Sequence, residues 1–479
     1  MSTSPSYDRG FAAAARLAEF VRAGRLPGAS AGILTDGKLT WSGSAGFADV
    51  GARRTADDRT LYRIASITKT VTGTAIMRLR DSGKLGLDDP VVEYLPELRQ
   101  AVSPFGPIEA ITIRQMLSHE SGIRVDPAGT DWSGGSYQPD PAHTLAHAGE
   151  IVFKLPPFAQ HKYSDLAYQL LGEVITRVSG SAYHQYVSDF VLQPLGLSST
   201  SFDPLPSGLA ECRATGYGWR ALSDGLDPVR QAPSISAIRA EGGLWSTVAD
   251  LGTWLAFQLS AYQPATTDSP VLSAATLREM HKPRFLGDDG WTSAWGISWK
   301  AVRQDDVIWI THSGGLPGFT ATACFDPVRR AGAVVLINGT TYGGDLAFEL
   351  ARGARATALE TIPAVVAPEP VPAGFRPLLG VYARPDLGGW LFKVEWRDSK
   401  LTVTAPESPG FQLALDPTSD PGAFTVGPGT NLAGEQVTFR RAGDGEISSM
   451  LLVETTLVRL TLSPGWRRER ASGGCQLGR

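Results

Sequence analysis

The sequence predicts two domains, an α+β or α/β domain followed by a small antiparallel barrel or sandwich. Segments with helical periodicity alternate with strand-like apolar runs up to residue 359. Residues 361–374 then hold four prolines in fourteen positions, which is typical of an extended linker. Beyond them, short apolar runs separated by turn residues leave little helical period. We therefore divide the chain into a first domain (1–360), a linker (361–374), a barrel domain (375–466) and a disordered tail (467–479).

Composition is that of a globular protein. The 479 residues are 42% hydrophobic and 19% charged, which excludes a disordered or fibrous chain. The formal net charge of −4 leaves no basic surplus to neutralise phosphates, so we expect no nucleic-acid partner.

The chain lacks sequence signals for export, membrane insertion or metal binding. The apolar run 11–21 is interrupted by Arg16 and Glu19, and no stretch approaches the length that spans a membrane. The cysteines are too few and too widely spaced for a disulfide framework or a zinc site: Cys212, Cys324 and Cys475. We expect a cytoplasmic protein with no metal and no organic cofactor, in an oligomeric state that stays open.

The first domain opens with a helix and a hairpin. Residues 11–23 are alanine-rich with apolar residues at helical spacing. Asp36-Gly37 separates the apolar runs 29–34 and 39–41, which predicts a tight turn with positive φ at both central residues.

Helices and then strands follow in the first domain. Thr247-x-x-Asp250 has the pattern of a capping box at a helix start. The other predicted elements are helices at 66–82, 112–117, 165–178 and 345–359, and strands of one sheet at 307–310, 321–325 and 333–337. In the second domain the predicted strands are 379–382, 391–396, 401–404, 411–415, 437–440 and 450–462.

The most specific local motif is Ser66-Ile67-Thr68-Lys69 at the start of a predicted helix. Residues three apart share a helix face, so the Ser66 hydroxyl and the Lys69 ammonium can meet. A nucleophilic serine needs a nearby proton acceptor, and this spacing supplies one. Alone the motif is weak, because a helix-capping serine followed by a solvated lysine has the same pattern.

Two further motifs follow it in order. Tyr163-Ser164-Asp165 stands before a predicted helix, and His312-Ser313-Gly314-Gly315 follows a predicted strand. Together the three resemble the Ser-x-x-Lys, Tyr-x-Asn and Lys-Thr-Gly motifs of penicillin-recognising serine enzymes. The resemblance extends to 61–69, 84–91, 113–119, 242–247, 312–318 and 334–338. Over residues 10–357 the chain is similar to the class C β-lactamase and D-aminopeptidase-like branch, in which appended barrels also occur.

The resemblance implies an α+β fold of the β-lactamase/transpeptidase type, with an antiparallel sheet, flanking helices and a helical lobe, followed by a lipocalin-like barrel. It implies that Ser66 is the acylated nucleophile and that Lys69 accepts or shuttles its proton. Tyr163 would protonate the leaving group. The backbone N–H groups of Ser66 and Gly315 would form the oxyanion hole.

Asp165 departs from the family pattern, because the family has asparagine there. A carboxylate near Lys69 favours the charged ammonium and makes Lys69 a poorer base. We therefore expect Tyr163 to be the proton acceptor, with its phenolate favoured by Lys69 and with His312 as a second candidate for that effect.

His312 is a second departure, since it takes the position of the motif lysine. Ser313 and Gly314 are supporting residues of the same motif. The glycines Gly314, Gly315 and Gly318 indicate that a ligand or another backbone segment comes close. Histidine is neutral for much of the time near pH 7, so a β-lactam carboxylate loses a fixed partner. Within the branch, histidine here is found in esterase- and D-peptidase-like members, and we do not expect antibiotic resistance.

Several residues have plainer readings. Tyr163 could pack beside Phe158 and Tyr168 instead of acting in catalysis. His119 matches a family motif that we interpret as structural, a helix-end cap. His143, His147 and Glu150 share a helical face but lack the spacing of a metal motif, so we interpret them as a surface.

Tryptophans flank predicted loops and line a cleft or pack in the core: Trp132, Trp219, Trp245, Trp295 and Trp299. The irregular stretches 126–140 and 212–240 are candidate cleft walls.

The predicted function is a serine hydrolase that forms an acyl-enzyme with a short peptide, a peptide-like amide or a carboxylic ester. A rival within the family is a penicillin-binding-protein-type thioesterase that cyclises a peptidyl thioester, with a carrier protein as partner. A non-catalytic binding protein is a rival from another class, but it would be expected to lose Ser66, Lys69 or Tyr163. An exposed barrel edge would favour a role in assembly, and a barrel loop that reaches the Ser66 cleft would favour substrate gating.

Overall fold

The computed structural model describes residues 5–130, 139–219, 226–229, 238–263, 269–288, 290–304, 307–353, 371–383, 391–397, 399–405, 408–428 and 430–460. Cys475, the predicted tail 467–479 and most of the predicted linker 361–374 lie outside these residues.

The sequence predicts the helices that begin at residues 5, 68, 113, 165, 248 and 344, which are half of the α-helices that the structure describes in the first domain. The described helices are α1 (Pro5–Ala23), α2 (Thr68–Asp81), α3 (Val91–Tyr94), α4 (Ile113–Leu117), α5 (Pro141–Ala146), α6 (Asp165–Ser179), α7 (Tyr183–Val187), α8 (Ser207–Ala210), α9 (Arg239–Gly242), α10 (Val248–Ser260), α11 (Ala274–His281) and α12 (Gly344–Ala351). The helix predicted at 66–82 begins as a 3₁₀ turn, Ala65–Ile67, and continues as α2. The closing helix α12 ends at Ala351, and Gly353 follows with a φ of +88°; residues 354–359 of the predicted helix 345–359 lie outside the described residues.

The predicted capping box at α10 is only half formed. The Thr247 hydroxyl accepts a hydrogen bond from the Asp250 backbone N–H at 3.2 Å. The Asp250 carboxylate instead accepts from the Ser199 N–H at 2.9 Å and the Thr200 hydroxyl at 2.7 Å. Asp250 therefore ties α10 to a neighbouring segment rather than to its own cap.

The strands of the first domain are β1 (Gly28–Thr35), β2 (Lys38–Asp49), β3 (Arg54–Thr55), β4 (Tyr62–Arg63), β5 (Ser201–Phe202), β6 (Tyr217–Trp219), β7 (Leu226–Pro228), β8 (Leu244–Ser246), β9 (Phe285–Leu286), β10 (Ser293–Trp295), β11 (Lys300–Gln304), β12 (Val307–Leu316), β13 (Phe319–Asp326) and β14 (Ala331–Ile337). The main sheet is antiparallel with the order β3-β2-β1-β14-β13-β12-β11-β10-β9. The predicted β1–β2 turn is confirmed, since Asp36 and Gly37 have φ values of +54° and +75°.

The main sheet is buried on both faces. On one face, α1 and α12 pack against apolar residues of β1, β12 and β14, including Ala31, Trp309 and Val335. On the other, α10 and the helical lobe containing α2 and α6 form the larger core. The inner strand β12 thereby runs past the start of α2, which positions the candidate site.

The second domain is a barrel, as predicted. Within the described residues β15 (Gly380–Ala383), β16 (Leu391–Arg397), β17 (Lys400–Ala405), β18 (Ser408–Pro417), β19 (Ala423–Val426), β20 (Gln436–Arg441), β21 (Ile447–Leu452) and β22 (Thr455–Arg459) close into an antiparallel barrel. The single strand predicted at 450–462 was wrong, because the chain reverses at Val453, where φ is +56°. The four-residue β19 was not predicted, since it is too short to show a period of two.

Candidate active site

Ser66 lies on a tight turn beneath β12. The turn is the 3₁₀ segment Ala65–Ile67, and Ala65 has a φ of +45°, which is uncommon for a residue with a side chain. Gly314 packs directly on this turn: a Cβ there would lie 2.2 Å from the Ile64 carbonyl oxygen and 2.9 Å from the Ser66 nitrogen. The predicted close approach is confirmed at Gly314 and at Gly318, whereas a Cβ at Gly315 would meet no atom within 4 Å. The contact at Gly314 brings the strand that carries Gly315 against the candidate nucleophile.

Lys69 is fully buried, and its ammonium contacts Ser66, Glu241 and Asp165 in addition to Tyr163. Its Nζ is 3.0 Å from Ser66 Oγ, donates to the Glu241 carbonyl oxygen at 2.7 Å and forms an ion pair with the Asp165 carboxylate. Burial alone would lower the pKa of Lys69, but Asp165 and Tyr163 raise it above its usual value. The expected effect of Asp165 is confirmed, and Lys69 rests as an ammonium.

The Tyr163 hydroxyl is hydrogen-bonded to the Ser66 and Lys69 side chains. Burial raises the pKa of Tyr163 to about 12, with Asp165 adding to this effect and Lys69 opposing it. Lys69 favours the phenolate, as expected, but desolvation outweighs the ammonium, so the phenolate is not the resting form. Tyr163 rests as a neutral phenol that can donate its proton.

His119 supports the Tyr163 segment, a role that the sequence analysis missed. Its ring stacks on Tyr163 with centroids 4.3 Å apart, and its Nδ1 accepts from the Ser164 backbone N–H at 3.1 Å. Its carbonyl oxygen accepts from the Lys162 N–H at 2.8 Å. His119 also ends α4, as expected: its φ is +59°, and the Glu120 N–H donates to the Gln115 carbonyl oxygen at 2.8 Å. Phe158, the suggested packing partner of Tyr163, is 60% exposed, which argues against the alternative that Tyr163 merely packs beside it.

His312 is buried on β12, with the Trp295 ring centroid 5.7 Å from its own. Its Nδ1 donates to the Ser313 carbonyl oxygen at 2.7 Å, which leaves Nε2 as the acceptor. Burial, with help from Lys69, lowers the pKa of His312 to about 3. His312 is thus neutral at pH 7, as expected. Its Nε2 has no partner among the residues that the structure describes.

A cavity of about 220 Å³ opens on Ser66 between the first domain and the barrel. The first domain contributes Ala65, Val125, Ile238, Leu316 and Pro317, and the barrel contributes Phe392, Phe411, Leu432, Leu452 and Leu457. Parts of both irregular stretches reach it, as predicted, through Asp126 and Ile238, whereas 131–138, 220–225 and 230–237 lie outside the described residues. The barrel therefore lies over the candidate nucleophile rather than offering an open edge for assembly.

The tryptophans do not form this cavity within the described residues. Trp245, Trp295 and Trp299 are at most 3% exposed and belong to the core or to the aromatic cluster behind Tyr163. Trp132 and the side chain of Trp219 lie outside the description. The core reading was therefore right for the tryptophans that can be placed, and the apolar wall comes from the barrel instead.

Carboxyl groups also line the cavity: Asp126, Asp165 and Glu241 from the first domain and Glu454 from the barrel. Glu241 is 4% exposed, and its Oε2 has no hydrogen-bond partner among the described residues. Burial, together with Asp165, raises the pKa of Glu241 well above its usual value. A bound cation would favour the ionised form, so the arrangement suits a positively charged group.

The group of His143, His147 and Glu150 is not arranged as a metal site. The His143 and His147 rings stack 4.2 Å apart, and His147 Nδ1 contacts the His143 carbonyl oxygen at 2.9 Å. In the part of the chain that the structure describes, side chains do not cluster as metal ligands, and every helix is too short or too polar to cross a bilayer.

Comparison with known proteins points to one family. Residues 13–358 match the protein family described as Beta-lactamase. Protein flp of Staphylococcus aureus strain NCTC 8325 / PS 47 is 29% identical over 327 residues, which span 66% of this chain and only 60% of flp. The D-alanyl-D-alanine-carboxypeptidase/endopeptidase AmpH of Escherichia coli K12 is 26% identical over 58% of this chain and 70% of AmpH. The crystal structure of SurE is 25% identical, with a TM-score of 0.62 over 95% of this chain and all of SurE.

Proposed function

Because the chain belongs to the beta-lactamase family, whose members are serine hydrolases, we propose that it cleaves a peptide-like amide or a carboxylic ester through an acyl-enzyme on Ser66. One observation carries the proposal: Ser66, which lines the cavity, has its Oγ 3.0 Å from Lys69 Nζ and hydrogen-bonded to the Tyr163 hydroxyl. A serine that is hydrogen-bonded to two proton-transfer groups and exposed to a cavity has the arrangement of an activated nucleophile. The proposed reaction requires no metal or organic cofactor.

The proposed attack moves the Ser66 proton along the buried ion pair. As Oγ bonds to the substrate carbonyl carbon, its proton passes to Lys69 Nζ, which gives one of its own protons to Asp165. This route is supported by Lys69, which contacts both groups and rests as an ammonium. The backbone N–H groups of Ser66 and Gly315 stabilise the oxyanion.

The same groups return the proton. When the bond from the carbonyl carbon to the leaving atom breaks, that atom takes the proton of the neutral Tyr163 hydroxyl. Tyr163 is reprotonated by Lys69, and Lys69 recovers its proton from Asp165. Water then attacks the acyl-enzyme by the same route, the acid departs, and Ser66 regains its proton.

The cavity favours an acyl donor that carries an ammonium group. Asp126, Asp165 and Glu241 line it, and Glu241 lacks a partner for Oε2 among the described residues. A free α-amine of an aminoacyl group would supply the missing cation and donors. AmpH, which by its name acts on D-alanyl-D-alanine peptides, is a relative consistent with a peptide-like amide.

Acyl transfer to an amine is the second candidate, and the apolar barrel wall of the cavity favours it. Such a wall excludes water from the acyl-enzyme and leaves a bound amine as the better-placed nucleophile. A penicillin-binding-protein-type thioesterase works in this way, with the amine of the peptidyl chain itself as acceptor and a carrier protein as partner.

The test is intact-mass spectrometry after exposure to a fluorophosphonate, combined with turnover of p-nitrophenyl esters and of D- and L-amino-acid amides. Ser66→Ala is the control. We expect one adduct that is lost in the variant, with turnover of amides that carry a free amine. An adduct without turnover would favour the thioesterase, to be tested with a peptidyl thioester. No adduct would contradict a serine hydrolase.

A further inference from the structure

The barrel residues that line the Ser66 cavity come from one end of the barrel. Phe392 lies at the start of β16, Phe411 near the start of β18, Leu452 at the end of β21 and Leu457 in β22. Leu432 lies in the connection between β19 and β20. Because successive strands are antiparallel, these positions meet at the same rim.

This rim is also the end of the barrel interior. Phe392, Leu452 and Leu457 belong to the apolar core of the barrel and are at most 6% exposed. The same side chains line the cavity, so the space beside Ser66 continues into the barrel mouth. Small barrels hold a single ligand at most, and barrel mouths are common ligand sites.

We propose that the barrel mouth binds the apolar side chain of the acyl group that Ser66 attacks, an inference that rests on the proposed function. Ser66 and Gly315, whose N–H groups would hold the carbonyl oxygen, both line the cavity. Tyr163, which would face the leaving group, is not among the described residues that line it. The occupant therefore belongs to the acyl side of the scissile bond.

The size and walls of the cavity define this occupant. A dry apolar cavity of about 150 Å³ binds benzene, so one of about 220 Å³ accepts a phenyl or branched aliphatic side chain. A long fatty acyl chain exceeds it. The carboxyl groups of Glu241 and Asp126 face the same space, so the group that satisfies both walls is an aminoacyl residue with an apolar side chain.

The test uses p-nitrophenyl esters, so that it does not depend on amide hydrolysis. We expect kcat/KM to rise at least tenfold from acetate to butyrate, since each buried methylene is worth about fourfold, and to fall for dodecanoate. Leu457→Ala and Phe411→Ala should lower the butyrate-to-acetate ratio at least threefold. Leu415→Ala, which removes the same side chain as Leu457→Ala from a buried core position beyond the cavity, should leave the ratio unchanged.

The butyrate-to-acetate ratio does not depend on how much of the protein is folded. Phe411 is only partly buried, so Phe411→Ala keeps the test valid if Leu457→Ala misfolds. A flat ester series in an enzyme whose Ser66 still reacts with a fluorophosphonate would overturn the barrel-mouth site alone. So would an equal effect of Leu415→Ala. If the barrel variants instead changed the preference between p-nitrophenyl and 4-methylumbelliferyl acetates, the occupant would be the leaving group. If Ser66 reacted with neither the fluorophosphonate nor the esters, the result would contradict the proposed function itself.

Discussion

Glu435 of the barrel and Lys162 of the first domain form a buried ion pair, with Oε1 and Nζ 2.9 Å apart and both side chains at most 2% exposed. Glu435 Oε1 also accepts from the Val125 backbone N–H at 3.2 Å. Lys162 directly precedes Tyr163, and Val125 lines the Ser66 cavity. The barrel is thus attached to the two segments that flank the candidate catalytic groups.

Glu435→Gln should destabilise the protein by about 3–5 kcal/mol, because it removes the carboxylate that is paired with the buried Lys162 ammonium. Urea unfolding measures this loss. The matched control is Asp416→Asn, which breaks the exposed Lys400–Asp416 pair and should cost at most about 1 kcal/mol. Equal effects of the two substitutions would mean that the buried pair does not hold the domains together.

Asp165→Asn should reduce kcat/KM at pH 7 at least tenfold and move the acid limb of its pH profile to higher pH. Asp165 raises the pKa of Lys69, so the variant lowers that pKa and removes the proposed proton acceptor. The variant is then active only at a pH high enough for Lys69 to lose its own proton. Asp140→Asn, which alters the cap of α5 away from the cavity, should leave the profile in place. An unmoved acid limb in Asp165→Asn would rule out the shuttle.

Glu241→Gln should stabilise the protein at pH 7 while weakening activity on amine-bearing substrates. The pKa of Glu241 is raised above its usual 4.5, so the folded state retains a proton that the unfolded state releases, and stability falls as the pH rises above that value. Glutamine removes this cost. Thermal unfolding at pH 4 and pH 7 should show a gain only at pH 7.

The activity arm for Glu241→Gln compares amino-acid amides with their N-acetylated forms. The loss in kcat/KM should be confined to the free amines, because only they present an ammonium to the carboxylate. An equal loss for both would show that the Glu241 carboxyl does not contact the substrate amine.

Gly314→Ala should disrupt the site far more than Gly315→Ala. A Cβ at 314 would lie 2.2 Å from the Ile64 carbonyl oxygen, whereas a Cβ at 315 would meet no atom within 4 Å. We expect a lower melting temperature and slower fluorophosphonate labelling for Gly314→Ala, and an unchanged melting temperature for Gly315→Ala. Similar melting temperatures would contradict the close packing of β12 on the Ser66 turn.

Local chemistry made much of the fold predictable from sequence. Asp36-Gly37 specifies a turn with positive φ, and the three-residue spacing of Ser66 and Lys69 puts both on one helix face. The barrel could be predicted because its strands alternate and its turns are marked by glycine, proline and aspartate. The run 450–462 was misread because Val453 gives no turn signal, although the backbone reverses there.

The rest of the site depends on contacts between distant segments. His119 reaches Tyr163, and Glu435 reaches Lys162 across 273 positions, and no local pattern marks either pairing. The net pKa of Tyr163 was misjudged for the same reason, since neighbouring charges can be inferred from motifs but desolvation depends on complete burial. The apolar cavity wall likewise comes from a separate domain.

The most direct test of the central claim is to trap the acyl-enzyme from a substrate rather than an inhibitor. A p-nitrophenyl ester reaction would be quenched in acid within milliseconds to seconds, digested with trypsin and analysed by mass spectrometry. We predict that the peptide Ile64–Lys69 gains the mass of the acyl group at Ser66 during turnover, and that Ser66→Ala shows neither adduct nor turnover. Turnover that persists in Ser66→Ala, or an acyl group found on another residue, would contradict the assignment of Ser66 as the nucleophile.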